Sequence, residues 1–268
     1  MRVGIFFGGP SREREISFAG GRTVYDNLNK SLFEALPIFV DSFKNLILLD
    51  WEYIYKGSIR DFYPPVSVLP ESPNAFQVYV ESLGKMDKHQ LDMVISKVGR
   101  KIEPSLLLEL IDFAFLALHG VYGEDGQIQG LMESLAIPYS GSGIRACSIG
   151  MDKSFQKQLM ANGGFASPEV IVIKREAWES NNDFYERSIQ QIGLPCVIRP
   201  ANQGSSIGVS ILKEGTNEES FKAAVDNAFF RKYISKEFWE SVNTEQRTEY
   251  IKDLSDIRSG LGFPLDVN

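Results

Sequence analysis

The chain has little cysteine, little histidine and no long apolar run, and each shortage excludes a class of protein. Its 268 residues include 2 cysteines and 2 histidines. Cys147 and Cys196 lie far apart with no CxxC spacing, so the sequence predicts neither a disulfide framework nor a zinc site. The longest apolar stretches, such as FAFLAL, are much shorter than the roughly 20 residues that a membrane-spanning helix needs.

Charge of one sign is not concentrated anywhere either. The net charge is −7, and the absence of a basic run of five or more residues argues against a general nucleic-acid binder. The segment from Met1 to Phe7 leads directly into the charged residues SRERE, which leaves no room for a signal peptide. We therefore expect a soluble protein of the cytoplasm with no nucleic-acid partner and no membrane segment.

The pattern that is present is an alternation of short β-rich runs with helical periodicity, which predicts an α/β fold. In the first half, the runs RVGIFF, ALPIFV and FAFLAL are typical of buried strands, and REREISFAGGRTVYDNLNK and GQIQGLMESLA are typical of helices. Between residues 41 and 98, the runs ILLDWEYIY, VSVL and FQVYVESL suggest strands of an inserted hairpin or meander.

The pattern changes near Gly150, where we expect a boundary between a first domain, residues 1–150, and a second, residues 151–268. The second domain begins with the helical segment MDKSFQKQLMANGG, which two glycines end. The segments EVIVI and LPCVIRP follow as predicted strands, and GVSIL follows NQGSS at hairpin spacing.

The first candidate site residue is His119, which comes directly after the predicted strand FAFLAL. Ligands of α/β sheets bind beyond the carboxyl ends of parallel strands, and the glycines that follow allow close approach of the backbone. The neighbouring Glu124 and Asp125 have two interpretations. They belong to the site, or they cap the following helix, where its dipole favours negative charge.

The first turn and a loop in the second domain supply the other candidates. Gly8 and Gly9 separate a predicted strand from a predicted helix, a position that suits a ligand-binding loop. Glu13 has two interpretations: it holds the ammonium group of a ligand, or it caps the helix. For Glu15, capping is expected. In VIRPANQGSSIGVS, a basic residue is followed by a loop rich in small residues, which suits phosphate binding or a simple hairpin turn. The sequence shows no P-loop, no Ser-His-Asp set and no metal-ligand spacing.

Taken in order, four segments resemble the successive motifs of the D-alanine–D-alanine ligases, an ATP-grasp family: GGPSREREIS, LHGVYGEDGQIQGLMESLAIPYSGSG, MDKSFQKQLM and VIRPANQGSSIGVS. The resemblance covers the motif-bearing parts of residues 1–212. It implies an open parallel-sheet domain of the Rossmann-like, pre-ATP-grasp type, followed by part of an ATP-grasp domain. It also implies that ATP phosphorylates one D-alanine, whose acyl phosphate is attacked by the amine of a second, in peptidoglycan precursor synthesis.

The resemblance also implies a role for each matching residue. Glu13 would hold the ammonium group of the first D-alanine, His119 would stabilise charge beside it, and Ser205 would link Glu13 to the pocket. Glu124 would support the loop of His119. The nucleotide phosphates would be bound by the residues Lys153, Arg199, Gly204, Ser205 and Ser206. Dimerisation through the N-terminal domain is expected on the same basis.

The chain departs from the family pattern in two respects. The family usually has lysine where this chain has Arg199, and a planar guanidinium does not replace an ammonium point charge. Nothing between Ile211 and Asn268 resembles the family's Mg²⁺ ligands, which we expect beyond residue 268. We expect this chain alone to be inactive, since phosphoryl transfer needs metal ions. The alternatives are a D-alanyl-D-lactate or D-alanyl-D-serine ligase of the same fold and a non-catalytic ligand-binding fragment.

Overall fold

The chain folds into two compact units, Met1–Met151 and Asp152–Asn268. The structure, a computed structural model, describes residues 1–68, 79–180, 183–256, 262 and 266–267. Each unit is described by itself below.

The first unit is built on a five-stranded sheet with the order β4-β3-β2-β1-β5. The strands are β1 (Arg2–Gly8), β2 (Glu34–Val40), β3 (Leu46–Leu49), β4 (Gly99–Ile102) and β5 (Phe113–Leu116). Strands β1, β2 and β5 are parallel, and β3 and β4 extend the sheet antiparallel at one edge. The predicted α/β class is confirmed, and the three runs predicted as buried strands, RVGIFF, ALPIFV and FAFLAL, lie in the parallel part.

Helices cover both faces of this sheet. The first unit contains α1 (Arg14–Asn27), α2 (Lys88–Ile95), α3 (Leu107–Leu110), α4 (Gln127–Ser134) and α5 (Ile144–Met151). Strand β1 contributes Ile5 and Phe7 to one buried cluster, which includes Phe18 of α1, and Phe6 to another, which includes Met132 of α4. A strand that is buried on both faces has a continuous apolar sequence, which explains the run RVGIFF.

The predicted hairpin or meander between residues 41 and 98 is largely wrong. Among the described residues of these runs, only Leu46–Leu49 forms a strand, and Trp51–Tyr55, Val66–Val68 and Val80–Leu83 are 3₁₀ helices. The aromatic residues that favoured strands instead pack side by side, and the rings of Tyr53 and Phe62 lie 5.6 Å apart. Part of this prediction, residues 69–78, lies outside the described residues.

The second unit combines helices with two small sheets. Its helices are α6 (Lys153–Asn162), α7 (Arg175–Ser180), α8 (Phe184–Gln191), α9 (Glu218–Ala228), α10 (Lys236–Ser241) and α11 (Thr244–Ser255). Strand β6 (Cys196–Ile198) pairs antiparallel with β7 (Ser210–Leu212), and β8 (Arg231–Lys232) pairs parallel with β9 (Asp266–Val267). The predicted hairpin around VIRPANQGSSIGVS is confirmed as the β6–β7 pair.

The segment EVIVI, residues 169–173, is not a strand, contrary to the prediction. Val170 and Val172 are exposed, and no strand among the described residues of this unit pairs with the segment. Alternating apolar residues favour a strand only where a neighbouring strand accepts its hydrogen bonds.

Candidate functional site

The loop after β1 is fixed by a close contact with the neighbouring strand. The N–H of Gly9 donates to the carbonyl of Val40, the last residue of β2, at 2.7 Å. Gly8 has a φ of +92°, and a Cβ there would lie 2.6 Å from the ring of Phe39. Only glycine fits this left-handed, tightly packed position. The predicted turn of Gly8 and Gly9 therefore lies at the carboxyl ends of β1 and β2.

Glu13 is the residue that precedes α1, and its side chain is buried. Its carboxylate makes no capping bond to the helix. Glu13 Oε2 instead lies 2.9 Å from the position that a Cβ on Gly120 would occupy, and Ser11 Oγ lies 2.2 Å from the same position. Gly120 follows His119 directly, so the structure brings the first turn and the loop after β5 into contact at Glu13.

His119 lies three residues beyond the end of β5, and its side chain is 40% exposed. The imidazole is close to α1, because a Cβ on Gly20 would lie 4.0 Å from His119 Nε2. Its other nitrogen, Nδ1, lies 3.9 Å from Glu124 Oε1. The ring is therefore held between a helix and a carboxylate, with one side open to solvent.

Glu124 and Asp125 do not lie at the start of a helix, because α4 begins at Gln127. Glu124 Oε2 accepts the N–H of Gly120 at 2.7 Å, which closes the loop around His119. Asp125 accepts the backbone N–H groups of Tyr122 and Gln127 at 2.9 and 3.1 Å. The capping interpretation therefore fits Asp125, whereas Glu124 binds the loop itself.

Glu15, which was expected only to cap α1, connects the helix to the segment that follows β3. Its carboxylate accepts the N–H of Ile59 at 2.9 Å and the hydroxyl of Tyr79 at 3.3 Å. Burial raises the pKa of Glu15 above its ordinary value, and these hydrogen bonds act in the opposite direction.

Sequence reasoning missed the buried polar residues that hold these loops. Ser17 Oγ accepts the N–H of Gly8 at 2.8 Å and donates to the carbonyl of Ala117 at 2.8 Å, so one hydroxyl joins the loops after β1 and β5. Gln129 Nε2 donates to the carbonyl of Gly123 at 2.8 Å. A serine and a glutamine at interior positions of predicted helices were the only signal, because buried polar groups need partners.

Asp41, at the carboxyl end of β2, is a further buried acid that the sequence analysis did not select. Its carboxylate accepts the hydroxyl of Tyr63 at 2.9 Å and the backbone N–H groups of Phe43 and Asn45. Burial raises the pKa of Asp41, although every one of these bonds favours the charged form. This residue closes the turn between β2 and β3.

In the second unit, Lys153 is next to the loop that follows β6. Its Nζ donates to the carbonyl of Gln203 at 2.8 Å, and its backbone N–H donates to the carbonyl of Ala201 at 3.0 Å. Asp152 caps α6 by accepting the N–H groups of Ser154 and Phe155, and the Ser154 hydroxyl is the main cause that lowers the pKa of Asp152. Lys153 is therefore fixed at the first turn of α6, against this loop.

The loop itself carries the remaining predicted residues. Arg199 follows β6 directly and is exposed. Gly204 accepts a hydrogen bond from the N–H of Ile207 across a tight turn whose central residues, Ser205 and Ser206, have φ values of 50° and 58°. Left-handed serines are uncommon and store strain, which is found at ligand-binding turns. The structure thus gathers Lys153, Gly204, Ser205 and Ser206 at one place in the second unit.

The chemistry of these groups suits anionic oxygens, such as those of a phosphate, better than a metal ion. An ammonium, a guanidinium and two exposed hydroxyls all bind anionic oxygens. Among the residues that the structure describes, no three His, Cys, Asp or Glu side chains are gathered in a group that would hold a metal ion. Within the same residues, no helix is long and apolar enough to span a bilayer.

Both units thus place charged side chains and glycine-rich turns at strand ends, which defines an α/β protein with candidate ligand-binding edges. Comparison with known proteins identifies the kind. The family model described as D-ala D-ala ligase N-terminus matches residues 2–142, and the model described as D-ala D-ala ligase C-terminus matches residues 159–240. The chain belongs to the D-alanine–D-alanine ligase family. The second match extends past residue 212, where the motif resemblance ended.

Individual relatives agree with the family assignment. The chain is 31% identical over 229 residues to D-alanine–D-alanine ligase of Geobacillus thermodenitrificans and to D-alanine–D-alanine ligase A of Escherichia coli, which in each case covers 85% of this chain and 57% of the relative. The chain therefore spans somewhat more than half the length of these relatives.

Solved structures show the same fold. The D-alanine–D-alanine ligase of Coxiella burnetii matches with a TM-score of 0.58 at 22% identity, over 85% of this chain and 60% of that structure. The VanG D-Ala:D-Ser ligase of Enterococcus faecalis matches with a TM-score of 0.55 at 23% identity, over 85% and 59%.

Proposed function

We propose that this chain supplies the substrate-binding unit and part of the ATP-binding unit of an enzyme that joins two D-alanine molecules for peptidoglycan synthesis. The observation that carries the proposal is the contact between Glu13 and the His119 loop at the carboxyl ends of β1 and β5. A buried carboxylate and a half-exposed imidazole there suit a small zwitterion. Family membership supplies the substrate, and the enzyme acts in the cytoplasm as a homodimer.

The residues of the first unit bind and orient the first D-alanine in this proposal. Glu13 accepts hydrogen bonds from its ammonium group, and burial strengthens this charge-assisted contact. His119 faces the carboxylate end, where it stabilises the charge that develops during phosphorylation. Glu124 keeps the ring in place through Nδ1 and through its bond to Gly120.

The residues of the second unit bind the nucleotide. ATP supplies the phosphoryl group that activates the D-alanine carboxylate. Lys153 and Arg199 bind phosphate oxygens, and the turn of Gly204, Ser205 and Ser206 covers them with hydroxyl and N–H donors. Arg199 binds two oxygens at once where a lysine would bind one. Mg²⁺ is proposed for the complete enzyme on the basis of the family alone, with no ligands assigned among the described residues.

The two histidines make a direct test by NMR. His119 lies at the proposed site, and His89 lies on the exposed surface of α2 as an internal reference. Titration with D-alanine is expected to shift the ring resonances of His119 and to leave those of His89 unchanged, because only His119 adjoins the ligand. L-Alanine should produce a much smaller shift at the same concentration.

Two variants test whether Glu13 makes the proposed contact with the ammonium group of D-alanine. Glu13→Gln is expected to weaken D-alanine binding by about tenfold to a hundredfold, the value of one charge-assisted hydrogen bond. Glu34→Gln is the matched control, because Glu34 is an exposed glutamate at the opposite end of the sheet. Equal shifts at both histidines, or unchanged affinity in Glu13→Gln, would contradict the proposal.

A further inference from the structure

Arg14 is the largest fully buried side chain of the first unit, with 2% of its surface exposed. Removing a guanidinium from water is costly unless its charge is neutralised and its donors are satisfied. Arg14 follows Glu13 directly in sequence, at the first position of α1. The contacts of Arg14 show how its buried charge is accommodated beside Glu13.

One side of the guanidinium binds the loop that leads to Glu13. Arg14 Nε donates to the carbonyl of Ser11 at 2.9 Å, and Nη2 donates to the carbonyl of Pro10 at 2.9 Å. Both acceptors lie in the short stretch between β1 and Glu13. The hydroxyl of Ser11 in turn accepts the N–H of Glu13 at 3.1 Å. Arg14 therefore fixes the backbone from which the Glu13 side chain extends.

The other side of the guanidinium is anchored outside this loop. Nη1 donates to Ser42 Oγ at 2.7 Å and to Glu81 Oε1 at 2.6 Å, and the ring of Tyr79 stacks on the guanidinium at 4.3 Å. Ser42 follows β2, and Glu81 belongs to the 3₁₀ helix Val80–Leu83. Glu81 supplies the negative charge that a buried arginine needs.

We propose that Arg14 is a positioning residue for Glu13, held in place by Glu81. The guanidinium connects the backbone before Glu13 to two anchors outside the loop, and so sets the direction in which the Glu13 carboxylate points at a bound ammonium group. A lysine cannot replace it, because one ammonium cannot bond in the direction of all four acceptors at once. This inference rests on the proposed role of Glu13.

The first test compares two ligands that differ in the group that Glu13 holds. D-Lactate has the carboxylate of D-alanine and lacks the ammonium group. In Arg14→Lys, D-alanine binding should weaken by about tenfold or more, as for one lost charge-assisted bond. D-Lactate binding should change less, so the preference for D-alanine falls. General damage to the unit would weaken both ligands alike and would overturn the inference.

Two further variants keep this test interpretable. Glu81→Gln retains the shape and one acceptor, so it should fold and give a smaller loss of preference in the same direction. Arg22→Lys is the matched control, because Arg22 is a partly exposed arginine of the same helix that donates to the carbonyl of Lys56 at 3.3 Å. It should leave both affinities unchanged. An unchanged preference in Glu81→Gln and Arg14→Lys would overturn the inference.

A second readout does not depend on the ligand. In the wild-type chain, the Glu13 carboxylate lies against Gly120. A nuclear Overhauser effect between the side-chain protons of Glu13 and the α-protons of Gly120 should be present, and it should be lost in Arg14→Lys and kept in Arg22→Lys. Its persistence in Arg14→Lys would overturn the positioning role. Failure of D-alanine to bind the wild-type chain would instead overturn the proposed function, and this second readout would still decide the role of Arg14.

Discussion

The two candidate ligand-binding edges of this chain are held in different ways. In the first unit, the loops after β1 and β5 are fixed by buried side chains, including Ser17 at 0% and Arg14 at 2% exposure. In the second unit, Lys153 donates to two backbone carbonyls of the loop after β6, and Ser205 and Ser206 at the turn of this loop are exposed.

The hydrophobic cores of the two units also differ, because the core of the first unit is more extensive than that of the second. In the first unit, two extensive buried clusters lie on the two faces of the sheet. In the second unit, the described clusters are small, one around Phe221 and the other around Phe230, and paired strand residues Val197 and Ile211 are exposed. A preorganised substrate site needs a rigid support, whereas a loop that covers phosphates must open and close. The difference between the cores is the one that the proposed roles of the two units would require.

The largest expected effects come from removing one aromatic side chain from each core. Phe39 packs against Phe7, Phe62 and Tyr63, and Phe221 packs against Trp178 and Tyr185. Substitution of either phenylalanine by alanine should cost about 3–5 kcal/mol of its unit's stability.

Hydrogen exchange measured by mass spectrometry separates the two cases. Phe221→Ala should remove most protection from the second unit, whose small core has little stability to lose, while residues of β1 and β2 remain protected. Phe39→Ala should lower protection in the first unit and leave it folded. Equal loss of protection in both units from either variant would contradict the proposed difference between the cores.

An intermediate effect is expected where the two loops of the first unit touch. Gly120 has a φ of +70°, and a Cβ there would meet Ser11 Oγ and Glu13 Oε2. Gly120→Ala should cost about 2–4 kcal/mol, since overpacking adds to the left-handed strain, and should abolish D-alanine binding.

The matched control for that variant is Gly141→Ala. Gly141 has a φ of +97° and no atom within 4 Å of an added Cβ, so only the conformational cost of about 1 kcal/mol applies. Urea unfolding and the His119 resonances measure both effects. Similar losses in the two variants would mean that the contact between the loops is unimportant.

The smallest expected effect is a difference in pH dependence between the units. Burial raises the pKa of Glu15 from 4.5, so its folded state binds a proton more tightly than the unfolded state does. Its contribution to stability is therefore present at low pH and lost as the pH rises through the raised pKa. The pKa of Asp152 is lowered from 3.8, so its contribution is present above that value and lost as the pH falls through the lowered pKa.

Isosteric amides test this difference. Glu15→Gln should make the first unit's stability fall less as the pH rises above about 4.5, the ordinary value for a glutamate. Asp152→Asn keeps the helix cap and should make the second unit less sensitive to acid below pH 3.8. Denaturant unfolding at several pH values, monitored by hydrogen exchange in each unit, gives the slope of stability against pH for both units. Slopes that change in the same direction would contradict the assigned causes.

The sequence predicted the parallel strands at the centre of the fold well, because the signals for these strands lie within short stretches of the chain. A continuous apolar run predicts a doubly buried strand, and the glycines after β1 predict a sharp turn. The same pattern predicted where His119 and Glu13 lie in the fold, since each follows the end of a parallel strand; their role in binding stays a prediction.

The parts that the sequence did not predict depend on contacts between distant segments. The partner of Arg14, Glu81, is 67 positions away, and no local pattern indicates this pair. The aromatic residues near Tyr53 resemble strand residues until their packing against Phe62 is known. EVIVI failed as a strand for a similar reason, because a strand depends on a neighbour whose position the local sequence does not give.

The hydroxyl of Ser17 has a consequence for how the first unit can vary and move. Its two bonds join the turn at Gly8 to the chain at Ala117, and the side chain that makes them is fully buried. A displacement of either segment is transmitted to the other by a single atom. A mutation that tilts one of these segments is therefore expected to move the other as well, and with it the loop that carries the acid or the imidazole.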